Sequence, residues 1–569
     1  MLDQVRNSKS ILPIFLAIWA LVNFIQAFFM DLHPDEAYYW LYSKFLAWGY
    51  FDHPPMVALF IKIGDSLTHT PFGLRMVTVI TTTTAFYLLW KVVSVYTQNI
   101  KLFILLAGSI VLFHVYGFIT TPDSPLFFFT ALFFYFYQRY LKKDSYLTAS
   151  ILAFVIACLL YSKYHAVLIL FFTILSNFKL FKRGSFWLII LFAFTAFIPH
   201  LWWQIQNNYP SFYYHILDRS AEAYRAEFTY QYVVGQLLLA GPLVGWFLYS
   251  SASRYKSGDD FIKALQFNFY GIFIFFFFST FKGRVEAHWT LPAMICLMLL
   301  AYLQLSKKGV PVWFIKAAVI NIALIMMLRI VLIIPIPLLM KNNLIKSYFG
   351  TEEWALEIHK FAGESPVLFE NSFQLASKYN YYTNSTKGFS YDSRNYRKNQ
   401  YDIWPLDNEF RNGRAYYLLP QPDLSKKMDT ISTNKGVVFG TWIDQVRMYQ
   451  RVNIIPLDIS EKLKAGITLR LRLQIANPYP DTITLGNRNQ FWKCFLEYGY
   501  KVDNKFIDPL VAIEANLEDA VIAPGQSIVI PAIIKTPNRA GKYKLEFSIR
   551  TEPFAGSRNS GRIAVDVTK

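Results

Sequence analysis

Residues 11–30, "ILPIFLAIWALVNFIQAFFM", run for twenty residues without a charge, and nothing else in the chain limits its fold as strongly. At a helical rise of 1.5 Å per residue, about 20 residues cross the roughly 30 Å hydrocarbon core of a bilayer. Backbone groups in lipid must satisfy one another, so such a run is expected as a spanning helix. Similar runs recur near 72–96, 102–119, 124–141, 147–162, 164–181, 185–203, 231–250, 261–281, 288–305 and 311–337, about eleven in all. The fold class is therefore a polytopic α-helical membrane protein. The leading "MLDQVRNSKS" carries Arg6 and Lys9, and no small-x-small cleavage site follows, so the first helix is expected to be retained rather than removed as a signal peptide. A composition of 54% hydrophobic, 18% aromatic and 17% charged residues is likewise too apolar for an ordinary soluble protein.

The net charge is +18, but the basic residues fall in short clusters between apolar runs, which argues for contact with membrane lipids and against nucleic acid as a partner. "TQNIK", "RYLKKDSY", "FKLFKRG", "SRYKSGDDFIK" and "LSKKGVP" occupy alternate gaps. The positive-inside rule makes those gaps cytoplasmic and the N-terminus cytoplasmic with them. The remaining gaps are then external: residues 31–71, "TTPDSP", "YSKYH", 204–230 and "FKGRVEAHW". Of three cysteines, Cys158 and Cys296 lie in apolar runs and Cys494 stands alone in the tail. No disulfide framework or cysteine-based zinc site is available.

Three regions follow: a membrane domain at 1–340, an extracytoplasmic α/β domain at 341–455 and a β-sandwich at 456–569. The middle region mixes a helical stretch, "NSFQLASKYNYY", with short strands such as "AYYLLP" and "GVVFG". In the last, "ITLRLRLQI" alternates to put Ile467, Leu469, Leu471, Leu473 and Ile475 on one face. "KYKLEFSIR" does the same with Tyr543, Leu545, Phe547 and Ile549, and "APGQS" marks a turn. The sandwich is expected to be immunoglobulin-like.

The external gaps hold the candidate chemistry. Asp35 is either a helix cap or a base for an acceptor hydroxyl. Asp123 opens an apolar helix and is a turn residue or a site acid. Lys163 either snorkels or meets a phosphate. Arg284 and His288, in "FKGRVEAHWTLPA", belong to a solvated loop or to a second set of cations for an anionic headgroup. The 204–230 gap adds His215, Asp218, Arg219, Glu222 and Arg225, which suit a solvated helical face. Asp52 and His215, with His53, are the candidate ligands of a divalent metal ion, although no HExxH-like spacing is present. Arg329, inside the last apolar run, must face protein or water or mark the end of a shorter span.

"DEAYYW", "GYFDHPPMVALF", "PDSPLFFF", "YSKYHAVLIL" and "FKGRVEAHWTLPA" stand in this order, and together they resemble the PMT-type branch of the GT-C glycosyltransferases. That branch includes protein O-mannosyltransferases and lipid A aminoarabinose transferases. The tail stretch "NSFQLASKYNYYTNSTKGFSYDSRNYRKNQYDIW" resembles bacterial members, so the resemblance covers most of the first 405 residues. It implies a GT-C fold in a bacterial inner membrane with periplasmic C-terminal domains. The implied reaction moves a sugar from a polyprenyl-phosphate donor to an acceptor hydroxyl on a glycolipid, polysaccharide or protein, with inversion. Asp35 inherits the role of base, with Glu36 beside it among the substrate-binding groups. Asp123 resembles the second family acid, and Lys163 the lysine near the donor phosphate. Aminoarabinose transferases typically carry Glu-Lys before Pro-Pro where this chain has Asp52-His53, so the phosphate and metal roles assigned there do not transfer directly, and His53 is a weaker substrate-binding candidate than Lys163. The rival from another class is a transporter or lipid-linked sugar flippase with an outer binding domain, which should place ionisable groups near the bilayer midplane.

Overall fold

The computed structural model describes residues 2–218, 224–419, 421–422, 428–502 and 505–569. The chain divides into two compact units, Met1–Thr351 and Glu352–Lys569.

The first unit is a bundle of apolar helices. Six among the described residues are long and apolar enough to cross a membrane: Ser10–Phe29, Pro71–Val93, Gly184–Gln206, Asp260–Ser279, Ala287–Lys308 and Val312–Val331. A seventh is added if the pair Ala226–Ala240 and Gly245–Arg254, bent by 88°, counts as one span. The expected count of about eleven is not confirmed by these six or seven, although the run at 124–141 is an unbroken helix, Asp123–Lys142. The runs at 147–162 and 164–181 become the shorter helices Tyr146–Ser162 and Ala166–Ser176. The run at 102–119 is interrupted at Ile110, whose extended backbone separates Ile100–Ser109 from Val111–Val115. The bent pair turns at Gly241, where φ is 122°, a conformation open to glycine but not to L side chains.

Ala287–Lys308 is the hub of the bundle, with 83% of its apolar window buried against 22% for Ser10–Phe29. The first helix thus shows most of its surface outward, as a lipid-facing helix does, while the hub is wrapped on all sides. Arg329 lies in Val312–Val331 and is 6% exposed. Its guanidinium donates to the first helix at Gln26 Oε1 (3.3 Å), the Val22 carbonyl (3.2 Å) and Asn23 Oδ1 (3.0 Å). It also meets His114 Nδ1 at 3.3 Å, which is free to accept because His114 Nε2–H donates to the Gly108 carbonyl at 2.8 Å. Arg329 therefore faces protein, and its hydrogen-bond partners are neutral.

Three connections shape the end of the bundle that matters for chemistry. Asp123–Lys142 begins, and Tyr146–Ser162 ends, at the same level, because the two helices run antiparallel through a short connection. Met56–Leu67 turns into Pro71–Val93 so tightly that a Cβ on Gly64 would lie 2.0 Å from the Gly73 carbonyl oxygen. Pro34–Lys44 is a short helix laid across this end, and its core-facing residues are buried from Glu36 to Ser43.

The second unit, from Glu352, takes in all but the first residue of the helix Thr351–Ala362 and then a five-stranded mixed sheet. Val367–Glu370 pairs in parallel with Gly388–Tyr391 and Ala415–Leu419; Gly436–Ile443 and Asp429–Thr433 extend the sheet antiparallel. Phe373–Tyr382 is helical, capped by Ser372. Beyond it lie a three-stranded and a six-stranded sheet around one core. Thr468–Ala476 and Gly541–Thr551 supply Leu471, Leu473, Ile475, Leu545, Phe547 and Ile549 to that core, as the alternation predicts. Ile467 departs from the pattern: it precedes the strand and is 38% exposed. The α/β and β portions belong to one unit, tied by Arg394–Glu497 at 2.7 Å and by Tyr391 stacked on Phe554 at 4.3 Å.

Candidate active site

The sequence "HPDE" sets the first part of the site. His33 is the N-cap of Pro34–Lys44, accepting from the Asp35 amide, and Glu36 Oε2 reaches back to accept from the His33 amide at 2.9 Å. This capping box turns Glu36 inward and leaves Asp35, one residue earlier in the first turn, on the open side. The Asp35 side chain is 37% exposed, with His33 Nδ1 at 4.0 Å.

Glu36 corrects an expectation. Placed among the substrate-binding groups on sequence, it is wholly buried and bound to Arg75, also wholly buried. Arg75 Nη2 donates to Glu36 Oε2 at 2.6 Å and Nε to Oε1 at 2.9 Å. The rest of the guanidinium caps the end of the first helix through the carbonyls of Ala27 (3.1 Å), Met30 (2.7 Å) and Asp31 (2.9 Å). Glu36 Oε1 accepts in turn from the Thr120 amide at 2.8 Å. The pair joins the first helix, the capping turn and the "TTPDSP" turn, and it offers substrate no surface.

Asp123 and Lys163 form the second buried pair. Lys163 Nζ donates to both carboxylate oxygens of Asp123 at 2.7 Å, and each side chain is 4% exposed. His288 Nε2 stands 3.7 Å from Asp123 Oδ2. The acid and the lysine proposed separately from the sequence are thus one unit with a histidine at its edge. Asp123, Lys163, Glu286 and Asp35 all lie near enough to His288 for their charges to act on its ring. Arg284 is 62% exposed and held by Glu286 at 3.3 Å, at the rim rather than inside.

The third group is built on Pro34–Lys44. Tyr38 and Tyr42, one helical turn apart, aim their hydroxyls at Asp52 Oδ2, at 2.8 and 3.3 Å. His53 packs 5.8 Å from Tyr39 and 6.2 Å from His215. His215 Nε2 donates to the Asp52 carbonyl at 2.8 Å. The candidate metal ligands therefore meet, but one Asp52 oxygen is taken by two tyrosines and a His215 nitrogen by a backbone carbonyl. No three metal-capable side chains converge among the described residues, so the donor set does not fit a divalent ion as built. Asp218 has no described side chain, and Arg219 and Glu222 lie outside the described residues. Arg225 pairs with Glu227 at 3.9 Å on the surface.

Two features escaped the sequence reading. Arg75 is a charge inside an expected span, and that alone marks it as a residue with a buried partner. His165 stands two residues after Lys163 and feels Lys163, His53, His215 and His288; it was visible in "YSKYH" but nothing in the spacing singled it out.

Residues 52–203 match the family model described as dolichyl-phosphate-mannose-protein mannosyltransferase. That segment includes Asp52, His53, Asp123 and Lys163 and excludes Asp35, Arg284 and His288. No curated protein sequence gives a significant match. Among solved structures, the chain is similar to ArnT from Cupriavidus metallidurans in the apo state, with a TM-score of 0.56, 14% identity, and coverage of 76% of this chain and 98% of that one. The same protein bound to undecaprenyl phosphate gives 0.54 and 14%, covering 75% and 97%. The fold is that of ArnT, and the family segment agrees with the motif resemblance.

Proposed function

We propose, from the premise that this chain carries the fold and a matched segment of the PMT-type GT-C family, that it is a membrane glycosyltransferase using a polyprenyl-phosphate-linked sugar. One observation carries the reading: an open carboxylate, Asp35, shares the end of a membrane bundle with the buried Asp123–Lys163 pair and His288. A transporter would keep its ionisable groups at the midplane; here they gather at helix ends. The ArnT complex with undecaprenyl phosphate supports a lipid phosphate as the carrier.

The chemistry needs a base and a home for negative charge. Asp35 takes the proton from the acceptor hydroxyl as its oxygen bonds to the anomeric carbon. The bond from that carbon to the phosphate oxygen breaks, with inversion, and the electron pair leaves on the polyprenyl phosphate. Lys163 and, from the rim, Arg284 stabilise that charge. Asp123 orients Lys163, while His53 and His288 line the same space. Glu36 acts through structure alone. The reaction is assigned to the periplasmic face of a bacterial inner membrane, because Lys142, Lys143, Lys179, Lys182, Lys307 and Lys308 lie at the opposite helix ends. Residues 341–455 and 456–569 are then periplasmic domains.

Comparing envelope glycans and accumulated polyprenyl-linked sugars with and without the protein identifies donor and acceptor. With those in hand, Asp35→Asn in the full-length purified protein should lower single-turnover transfer by about 10²–10⁴ while donor binding persists. Transfer at the wild-type rate would remove Asp35 as the base.

A further inference from the structure

Most polar side chains around the site are already engaged by the protein. Tyr38 and Tyr42 donate to Asp52, the Tyr50 hydroxyl donates to the Tyr42 carbonyl at 2.8 Å, and Tyr164 meets His200 at 3.1 Å. Three others are not. Tyr116 is 7% exposed, its ring 5.9 Å from His288, and its phenol lies in the fields of Asp123, Asp35 and Glu286. No hydrogen bond engages that hydroxyl among the described residues. Thr121, two residues before Asp123 and 8% exposed, has a buried Oγ1 with no partner. His165, two residues after Lys163, has a buried Nδ1 with no partner, and its ring packs 5.0 Å from Trp289.

Buried polar atoms in folded proteins are nearly always paired, so two such orphans, with an unengaged phenol near the same ion pair, call for a common explanation. Their chemistry is specific. A phenol, an alcohol and an imidazole each donate and accept, which suits neutral hydroxyls; a phosphate would be served by cations, which Lys163 and Arg284 already supply. Trp289 adds an aromatic face of the kind that packs on the apolar side of a pyranose.

We infer that Tyr116, Thr121 and His165 form the subsite for the sugar ring of the lipid-linked donor, and that they set which sugar is accepted. This rests on the function proposed above, since the ring must sit within one bond of the phosphate placed at Lys163. The three residues position the sugar through hydrogen bonds and take no proton in the reaction. A site built to pair with hydroxyls also rejects sugars that leave its own groups unpaired.

The test uses the full-length protein in nanodiscs and two kinds of probe. One is undecaprenyl phosphate; the other is its monoglycosylated form carrying glucose, galactose or mannose, the wild type's best-bound member being used throughout. Tyr116→Phe, Thr121→Val and His165→Phe should each weaken the glycosylated probe by about three- to tenfold, the worth of one neutral hydrogen bond, and leave the bare carrier unchanged. His165→Asn, which keeps a polar atom near Nδ1, should restore part of the loss. Unchanged binding of the bare carrier also reports that each variant is folded. Equal weakening of both probes, or of neither, overturns the subsite, as does a wild type that binds every glycosylated probe no better than the bare one. A wild type that binds none of the probes, bare carrier included, instead sinks the proposed function.

Discussion

Two buried ion pairs sit in the same membrane unit, Glu36–Arg75 and Asp123–Lys163, and they differ in what surrounds them. Around Glu36–Arg75 everything is closed: both side chains are fully buried, and the guanidinium also holds three backbone carbonyls while the carboxylate holds two amides. Around Asp123–Lys163 the closure is incomplete, with a half-buried His288 at 3.7 Å and neighbouring polar atoms that have no partner. Burial of a charge costs several kcal/mol wherever it occurs. Where every valence is answered, that cost secures geometry; where some are left over, the site is prepared for something that arrives later.

The sharpest way to break the comparison is to neutralise each pair. Arg75→Met strands a carboxylate and frees three helix-end carbonyls, and should destabilise the membrane unit by about 3–5 kcal/mol. Adding Glu36→Gln should recover little of that, because the carbonyls remain unserved; thermal melting in detergent measures both. Full recovery would show that the pair is only a pair. Asp123→Asn with Lys163→Met should behave oppositely. Replacing both partners removes the buried charges together, so melting should stay near wild type, while undecaprenyl-phosphate binding falls by about ten- to a hundredfold. A double variant that melts early but binds normally would make this pair a second clamp.

The smallest effect extends the comparison to the second unit. Asp392 is buried, accepts from Ser390 Oγ at 2.6 Å and from the Asn399 amide, and has no cation against its carboxylate among the hydrogen bonds described. Burial first, and then the nearby Asp402 carboxylate, hold its carboxyl well above the ordinary carboxylate range, with Ser390, Arg558 and Asn399 pulling the other way. A raised folded value means that its contribution is full below the ordinary aspartate range and is lost as pH rises through the folded value. The protection of Gly388–Tyr391 amides in the intact chain, taken relative to their intrinsic base-catalysed exchange, should therefore fall as the solution is taken upward from about pH 4, the ordinary aspartate range. Asp392→Asn should flatten that dependence. A dependence of the same size in the variant would assign it to other groups.

Much of this was legible in the sequence, for reasons that differ by region. Leu471, Leu473 and Ile475 announce a half-buried strand because a pleated sheet has a strict period of two. The capping box at His33–Glu36 is local and could have been drawn from "HPDE", yet which of Asp35 and Glu36 turned inward depended on a partner 39 residues away. The family motifs brought Asp123 and Lys163 to one level, but that they bond to each other depends on the antiparallel pairing of two helices. The number of spans is not fixed by hydropathy alone, because glycine and a single extended residue interrupt helices without disturbing it. Tyr116 and Thr121 carry no signal at all: what marks them is a hydroxyl without a hydrogen-bond partner among the described residues, which no sequence pattern encodes.

Arg329 bears on the order of events during synthesis. Arg329 stands in the last turn of Val312–Val331, where insertion costs less than the about 2.5–3.5 kcal/mol of a helix centre, and it finds its hydrogen bonds on a helix made some three hundred residues earlier. Until those two helices meet, the guanidinium must be served from the helix end by water or headgroups. Exchange of those partners for Gln26, Asn23 and the Val22 carbonyl is a closing step of bundle assembly, and it follows translation of both the first helix and the last.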